Sequence, residues 1–441
     1  MPDLNSQAIV SLIPAACRSV FIAYSGGVDS HVLLHLCATL PALQGKIVAV
    51  YVDHGLQAAA SAWCEHCRQQ AQKLGVTFQG LQVNARAGAG ESPEAAAREA
   101  RYRVLRDLLQ TDDVLLLAQH REDQMETLLL QLFRGAGVSG LAGMPTVHAF
   151  GKGLMLRPLL DVAKCEIQQY AQTHALDWVE DPSNQGSDFD RNYLRNEIIP
   201  LLKQRWPSLD KTVARSAGHC GDAAQMIEAW SEQALHAVFD PMNGSLSISD
   251  LPAMTAMQRN AVLRQWLRRR GLKPPSQAVL KILVEQILVG RDDAQSLLCI
   301  QGHQIRKYRQ KLYCLAEQGL RKEAQAREWP QQDEAILLSN AYVLRKESAS
   351  SGLSKRLWES ALVTVTSRQG GEKLKLPGRV GHHCLKKLYQ EVGMPPWERD
   401  VRPLIYLDDR LAAVAGLWVA EWAWLEEGAC YQLHWRAPQS M

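Results

Sequence analysis

Ser25-Gly26-Gly27-Val28-Asp29-Ser30 is the stretch of this chain whose residue types and spacing speak most directly of chemistry. Residues 19–24 read as a short apolar strand entering it, and residues 31–40 as a helix leaving it. Its amides, that of Val28 included, then sit at a helix N-terminus, where unpaired N–H groups and the helix dipole favour an anion. Gly26 and Gly27 let the backbone approach phosphate oxygens without a Cβ in the way. Ser25 and Ser30 can add hydroxyl donors. Asp29 cannot face a bare polyphosphate, so a divalent ion, Mg2+, bridging it to phosphate oxygens is expected, with Asp29 as the metal ligand. There is no Gly-x-x-x-x-Gly-Lys-Ser/Thr loop, which argues against a γ-phosphate NTPase.

A second group of candidates lies about 90 residues on. Asp123 and Glu126, three apart, share one face of a predicted helix, and His120 stands one turn earlier, near the end of a predicted fourth strand. Open α/β sheets place ligands at that end. Arg98 and Arg101 are three apart on the helix before that strand, so that one of them could face the ATP phosphates and stabilise the leaving charge. Asp53 and His54 end the second strand; contact with ribose or adenine and the capping of a turn are both open to them.

The elements that must position these residues follow from periodicity. Strands are predicted over 19–24, 47–52, 77–83 and 114–118, with helices over 31–40, 58–74, from Ser92-Pro93-Glu94 onward, and over 122–134. Repeated βα units with short apolar strands imply a parallel sheet covered on both faces. Helical periodicity then dominates from 209 to about 290, two short strands follow (296–300 and 311–315), and 316–354 is polar. The last 80 or so residues mix strands (362–366, 404–407, 411–414) with a helix near 382–392. The expected fold class is α/β: a parallel-sheet domain over 1–207, a mainly helical domain over 208–316, a linker over 317–359 (348–351 its most linker-like part), and a small α+β domain over 360–441.

Composition sets wider limits. The 441 residues exceed one hydrophobic core, and 46% hydrophobic with 22% charged is ordinary for a soluble globular protein. Net charge is only +3, so nucleic-acid binding must be argued from where charge sits. The N-terminus lacks a basic n-region, the run 411–425 is broken by Glu421, and ten scattered cysteines read as free thiols. A cytoplasmic protein without membrane spans is expected.

Ser-Gly-Gly-x-Asp-Ser between strand and helix resembles the pyrophosphatase-loop (PP-loop) superfamily, whose members bind the diphosphate of ATP there and transfer AMP to an oxygen that a nitrogen or sulfur nucleophile then displaces. Further segments narrow the resemblance: Val52-Asp53-His54-Gly55-Leu56, Ala97-Arg98-Glu99-Ala100-Arg101-Tyr102, His120-Arg121-Glu122-Asp123-Gln124-Met125-Glu126-Thr127, Arg134-Gly135-Ala136-Gly137-Val138-Ser139-Gly140-Leu141, Arg157-Pro158-Leu159-Leu160, Asp181-Pro182-Ser183-Asn184 and Arg191-Asn192-Tyr193-Leu194-Arg195. In this order, with Leu385-Lys386-Lys387-Leu388, Pro395-Pro396-Trp397-Glu398-Arg399-Asp400 and Ala415-Gly416-Leu417-Trp418-Val419 near the end, the chain resembles the tRNA(Ile)-lysidine synthetase family. That resemblance implies ATP and Mg2+, a tRNA(Ile) with a CAU anticodon, and free L-lysine, whose side-chain amine attacks C2 of the adenylated wobble cytidine. The family commonly carries two adjacent histidines where this chain has Gln119-His120.

Lysine fits the acidic residues. With a reference pKa near 10.4, only about four amines in ten thousand are neutral at pH 7, a handicap of ~4.6 kcal/mol. A lysine-using enzyme needs a carboxylate or imidazole to hold the amine and accept its proton; Asp123, Glu126 and His120 are the candidates. For tRNA, residues 261–275 hold five basic residues and no acidic one, among them Arg268, Arg269 and Arg270. Arg306, Lys307, Arg309 and Lys311 surround Tyr308 on a short hairpin, and residues 368–399 hold seven basic against three acidic. Basic clusters interleaved with aromatics suit phosphate contact and base stacking. Arg191, Asn192, Arg195, Arg268, Arg269, Arg270, Lys386, Lys387, Trp397 and Arg399 are the expected tRNA contacts. Two readings stand beside this one: a tRNA thiolase, if Cys64 and Cys67 prove indispensable, and a tRNA-binding protein with a vestigial nucleotide site. The oligomeric state is left open, a homodimer included.

Overall fold

The computed structural model describes residues 4, 6–53, 55, 59–83, 93–182, 186, 189–289, 297–323 and 325–436. It divides into two compact units, 1–227 and 228–441. The break falls inside the long helix Leu209–Val238 and not at the expected 207. His54, Ser92, Ser183 and Asn184, singled out from sequence, lie outside the described residues.

The first unit is built on a six-stranded sheet. Its strands are β1 (Val20–Ala23), β2 (Ile47–Asp53), β3 (Thr77–Gln82), β4 (Val114–Leu116), β5 (Val147–Phe150) and β6 (Gly153–Leu156), in the order β3-β2-β1-β4-β6-β5. All pairings are parallel except β5 with β6, a hairpin that closes one edge and that periodicity did not reveal. The central strands β1 and β4 are apolar and almost wholly buried, whereas no residue of the edge strand β3 is fully buried. Helices α1 (Ser6–Leu12), α2 (Val28–Ala38), α3 (Ala60–Lys73), α4 (Pro93–Leu108), α5 (Arg121–Phe133), α6 (Val138–Leu141) and α7 (Lys164–Thr173) follow in chain order. Two apolar clusters sandwich the sheet: one includes Leu33, Cys67, Ile167 and Ala171, the other Leu105, Leu109, Phe150 and Met155. That is the both-faces burial of a parallel sheet.

The order contains a reversal that fixes where a ligand can bind. From β1 the chain moves outward through β2 to β3, then returns to lay β4 on the other side of β1. The turns leaving β1 and β4 therefore diverge, opening a crevice at their carboxyl ends. Residues 24–27, running into the start of α2, and 117–120 are those two turns.

In the second unit, helices Ala256–Arg269 and Gln277–Ile282 pack on a four-stranded antiparallel sheet around a fully buried Trp266. The region expected to be mainly helical thus carries a sheet as well. The linker expected over 317–359 is corrected. Val343–Ala349 pairs along seven residues with Cys430–Arg436, and Gly352–Ser354 pairs with the same strand. Arg327–Glu328 joins Val363–Thr366 in another five-stranded sheet. Polar, outward-facing alternation made these strands look like linker; their inward residues Ile336, Leu344 and Leu353 complete a core with Trp358 and Leu433. Among the described residues no helix is long and apolar enough to cross a membrane.

Candidate active site

The loop after β1 is braced from within. Gly26 has φ +84°, a conformation side chains rarely adopt, and a Cβ there would come within 2.9 Å of the Cys67 sulfur. Its carbonyl accepts the Val179 amide at 2.9 Å. Gly27 caps α2 without a side chain, leaving the first-turn amides facing outward. Ser30 differs from expectation. It is buried; its hydroxyl donates to the Gly27 carbonyl at 2.9 Å and accepts the Ser25 amide at 3.2 Å. It shapes the loop, and the exposed Ser25 is the hydroxyl left facing solvent.

Asp29 opens the first turn of α2. Lys164, first residue of α7, donates from Nζ to both its carboxylate oxygens, at 2.5 and 2.6 Å. Opposite, the turn after β4 brings in His120, whose Nε2 lies 3.9 Å from Asp29 and 3.4 Å from Asp123, with Nδ1 3.2 Å from Glu122. His120 is buried and caps α5, the Asp123 carboxylate accepting its backbone amide at 3.1 Å. Burial would raise the Glu122 carboxyl, but His120, the Lys164 amide (2.9 Å) and Lys203 (3.2 Å) pull it down to about 2. One crevice thus holds the phosphate loop, its aspartate and an imidazole ringed by carboxylates.

Glu126 and Asp123 lie further along α5. Glu126 is only 1% exposed and accepts Arg191 Nε at 2.7 Å and Arg195 Nε at 2.6 Å. Arg195 also reaches Asp123 at 3.0 Å. Apolar packing of Met125 against Leu194 and Ile199 turns both arginines inward. Arg191 and Arg195, expected to contact tRNA, are engaged with carboxylates and stay partly exposed, with Asn192 between them on the same short helix, Asp190–Tyr193, and its continuation. Asp123 is less buried than Glu126 and is the more accessible of the two carboxylates.

Arg98 and Arg101 flank the Tyr102 ring, at 5.0 and 5.6 Å from its centroid. Burial lowers the Arg101 guanidinium below its usual range, and Arg98 and Arg191 push the same way. Burial would raise the Tyr102 phenol, yet Arg98 and Arg101 hold it below its ordinary value. This is a positively charged wall suited to an anion. Gln119 accepts Arg157 Nε at 2.6 Å and also bonds Tyr102. Gln119 tethers that wall to the end of β4 without offering a titratable proton. Asp53 accepts the Gly55 amide at 2.8 Å, so of its two readings the turn cap is realised.

The residues expected to bind tRNA in the second unit separate sharply. Lys386 and Lys387 are exposed. Arg268 pairs with Glu228 at 2.5 Å, Arg269 pairs with Glu232, and Arg270 donates to the Cys314 carbonyl at 3.2 Å. Trp397 and Arg399 are corrected: both are buried. Trp397 is wedged between Tyr308 and Tyr313, and Arg399 donates to the Met394 carbonyl at 2.7 Å and the Tyr308 hydroxyl at 3.2 Å. A base cannot stack on a ring enclosed in this way.

Sequence reasoning missed Lys164 and Lys203. Lys164 had one signal, its place as first residue of a capped helix (Glu166 takes the Ala163 amide at 2.8 Å), but nothing local says that this end meets α2. Cys64 and Cys67 sit mid-helix behind the loop. Burial raises both thiols, Cys67 to about 12, which disfavours the thiolate at each. The Gly135–Gly140 run follows α5 and leads into the short α6, not from a strand, as the dinucleotide fingerprint would require.

A family model for a PP-loop domain matches residues 4–202, one for a TilS substrate binding domain matches 246–313, and one for a TilS substrate C-terminal domain matches 363–435. The tRNA(Ile)-lysidine synthase of Methylococcus capsulatus is 38% identical over 420 residues, 94% of this chain and 95% of that protein. That of Pectobacterium atrosepticum is 39% identical over 422 residues, 95% and 94% of the two chains. Among solved structures, a U34-tRNA thiolase from Methanococcus maripaludis is similar at TM-score 0.41 and 14% identity, covering 48% of this chain and 77% of its own. With identity at this level from end to end, the chain belongs to the tRNA(Ile)-lysidine synthase family.

Proposed function

We propose that this protein is an ATP-dependent ligase that joins free L-lysine to C2 of the wobble cytidine of tRNA(Ile) with a CAU anticodon, releasing AMP and diphosphate in the cytoplasm. The observation that carries the reading is the meeting, in one crevice, of a phosphate loop with a cluster of carboxylates around His120. Phosphoryl activation and amine handling are thereby served side by side.

Two steps follow. The loop amides and Ser25 hold the β- and γ-phosphates while the cytidine O2 attacks the α-phosphorus; the Pα–O bond to the β-phosphate breaks and diphosphate departs with the electron pair. Arg98 and Arg101 offer positive charge to the phosphates. The lysine ε-amine, held by Asp123, then forms a bond to C2, its proton passing to Asp123 or His120, and AMP leaves with the former O2. Glu126 acts from behind by fixing Arg191 and Arg195 around Asp123. Mg2+ fits the residues present: Asp29 offers a hard oxygen donor, partly exposed beside free helix amides, and Mg2+ commonly takes one or two carboxylates with the remainder from phosphates and water. Bound there, it would neutralise charge on the diphosphate.

We assign adenylation and ligation to residues 1–207, and tRNA binding to 208–316 and the last domain. Mass analysis of tRNA nucleosides after incubation with ATP and labelled lysine tests the whole reading: a lysine-bearing cytidine is expected, and unchanged cytidine would refute it. Lys386 and Lys387 give a narrower test. Replacing both by alanine is expected to weaken tRNA binding and to flatten the slope of log K against log salt by about 1 per lysine; an unaltered slope would remove them from the interface.

A further inference from the structure

We propose that Lys164 is a diphosphate ligand of the adenylation step, parked on Asp29 until nucleotide and divalent ion arrive. This rests on reading residues 25–30 as a phosphate cradle.

The argument begins with a conflict. Asp29 is the carboxylate expected to take a divalent ion, yet both its oxygens are occupied by one ammonium, at 2.5 and 2.6 Å. A cation cannot share that carboxylate face with Lys164 without strong repulsion, so metal binding requires the ammonium to move. The pair is built to release it. Side-chain exposure is 31% for Lys164 and 30% for Asp29, and ion pairs that open to water are weak. The other cations around the crevice differ. Arg191 and Arg195 clamp Glu126 at 1% exposure, and Lys203 bridges Glu122 and Asp210, at 16% and 8%. Those pairs hold structure; Lys164 holds a partner that has other work.

The backbone under Lys164 is fixed while its side chain is free to swing. Its amide donates to Glu122 at 2.9 Å, and Ile167, Tyr170 and Ala171 seat α7 in the same apolar cluster as Val32, Leu33 and Leu36 of α2. His35 and Tyr170 join the two helices at 2.9 Å. The stem thus pivots at the rim of the loop, within reach of whatever anion the α2 amides hold. When Asp29 exchanges the ammonium for a divalent ion, the diphosphate at the α2 amides is a concentrated negative charge open to Lys164, the neighbouring Glu122 being already engaged by His120, the Lys164 amide and Lys203. There the ammonium donates hydrogen bonds to the oxygens that collect the electron pair as the Pα–O bond breaks, and no proton is transferred. In the resting protein the same residue keeps Asp29 from facing His120 and Asp123 uncompensated.

Two binding measurements without turnover test the exchange, with Lys164→Met and the charge-preserving Lys164→Arg compared against the unaltered protein. Mn2+ binding, followed by paramagnetic resonance in the absence of nucleotide, is expected to tighten at least fivefold in K164M, because the competitor for Asp29 is gone. Calorimetric binding of inorganic diphosphate with Mg2+ is expected to weaken at least tenfold in K164M and less in K164R. Failure of either shift in a variant with an unchanged melting temperature overturns the proposal. A structural pair alone would lower the melting temperature of K164M and leave both affinities in place, which also overturns it. If the unaltered protein itself takes up no diphosphate, the cradle reading falls and the role of Lys164 with it; that outcome is distinct, because it appears before any substitution.

Discussion

Asp29→Ala is expected to reduce tRNA-dependent ATP–diphosphate exchange by at least roughly 10²–10³-fold, the scale seen when one preorganised electrostatic partner of a transition state is removed. The substitution takes away the hard oxygen donor at the N-terminus of α2 and leaves the Lys164 ammonium without its partner. tRNA affinity should be nearly intact, because a lost carboxylate removes no phosphate contact, and the salt dependence of binding should keep its slope. Exchange assays beside filter binding at several salt concentrations separate these effects. Unchanged exchange would remove the metal assignment, and an equal loss of tRNA affinity would mean that the substitution had disturbed more than the nucleotide site.

The second large effect is expected at Glu126, for a different physical reason. Its carboxylate is sealed from water and shared by two guanidinium groups. Removing one partner of a buried pair typically costs 3–5 kcal/mol, because the other charge is stranded. Arg191 and Arg195 are 25% and 37% exposed and can turn partly to solvent, so Glu126→Ala is expected near the lower end, about 3 kcal/mol. The freed arginines, already 3.5 and 3.0 Å from Asp123, would pair with it alone and more fully neutralise the carboxylate proposed to receive the amine. KM for lysine should therefore rise about tenfold or more, in the range of a lost charge-assisted contact of 1.5–3 kcal/mol. Asp123→Asn should show the kinetic defect with little loss of stability. Denaturant midpoints and lysine saturation curves for the two variants decide it; normal stability in Glu126→Ala would contradict the buried-pair argument, and normal KM in both would end the amine-handling proposal.

Much of the site was legible because its parts are local in sequence. A strand, two glycines and a helix start lie within ten residues, and the φ of +84° at position 26 is one that side chains rarely adopt. His120, Asp123 and Glu126 share a helix start, so their proximity follows from helical spacing. Residues whose roles depend on distant partners were read less well. Basic clusters looked alike in sequence, yet Arg399 is enclosed with Tyr308, 91 positions away, while Lys386 and Lys387 face water. Polarity likewise disguised Val343–Ala349 as linker, since a half-buried antiparallel strand shows only every second residue to the core.

The chain's local order established a parallel α/β domain with a glycine turn between strand and helix, because backbone conformation, capping and burial period are properties of neighbouring residues. The crossing of the sheet at β1 and β4 decided that this turn faces His120, and the docking of α7 on α2 decided that Lys164, 135 positions from Asp29, completes it. Side chains so far apart along the chain meet only when packing of the apolar faces between them brings their elements together, and that packing is a property of the whole fold.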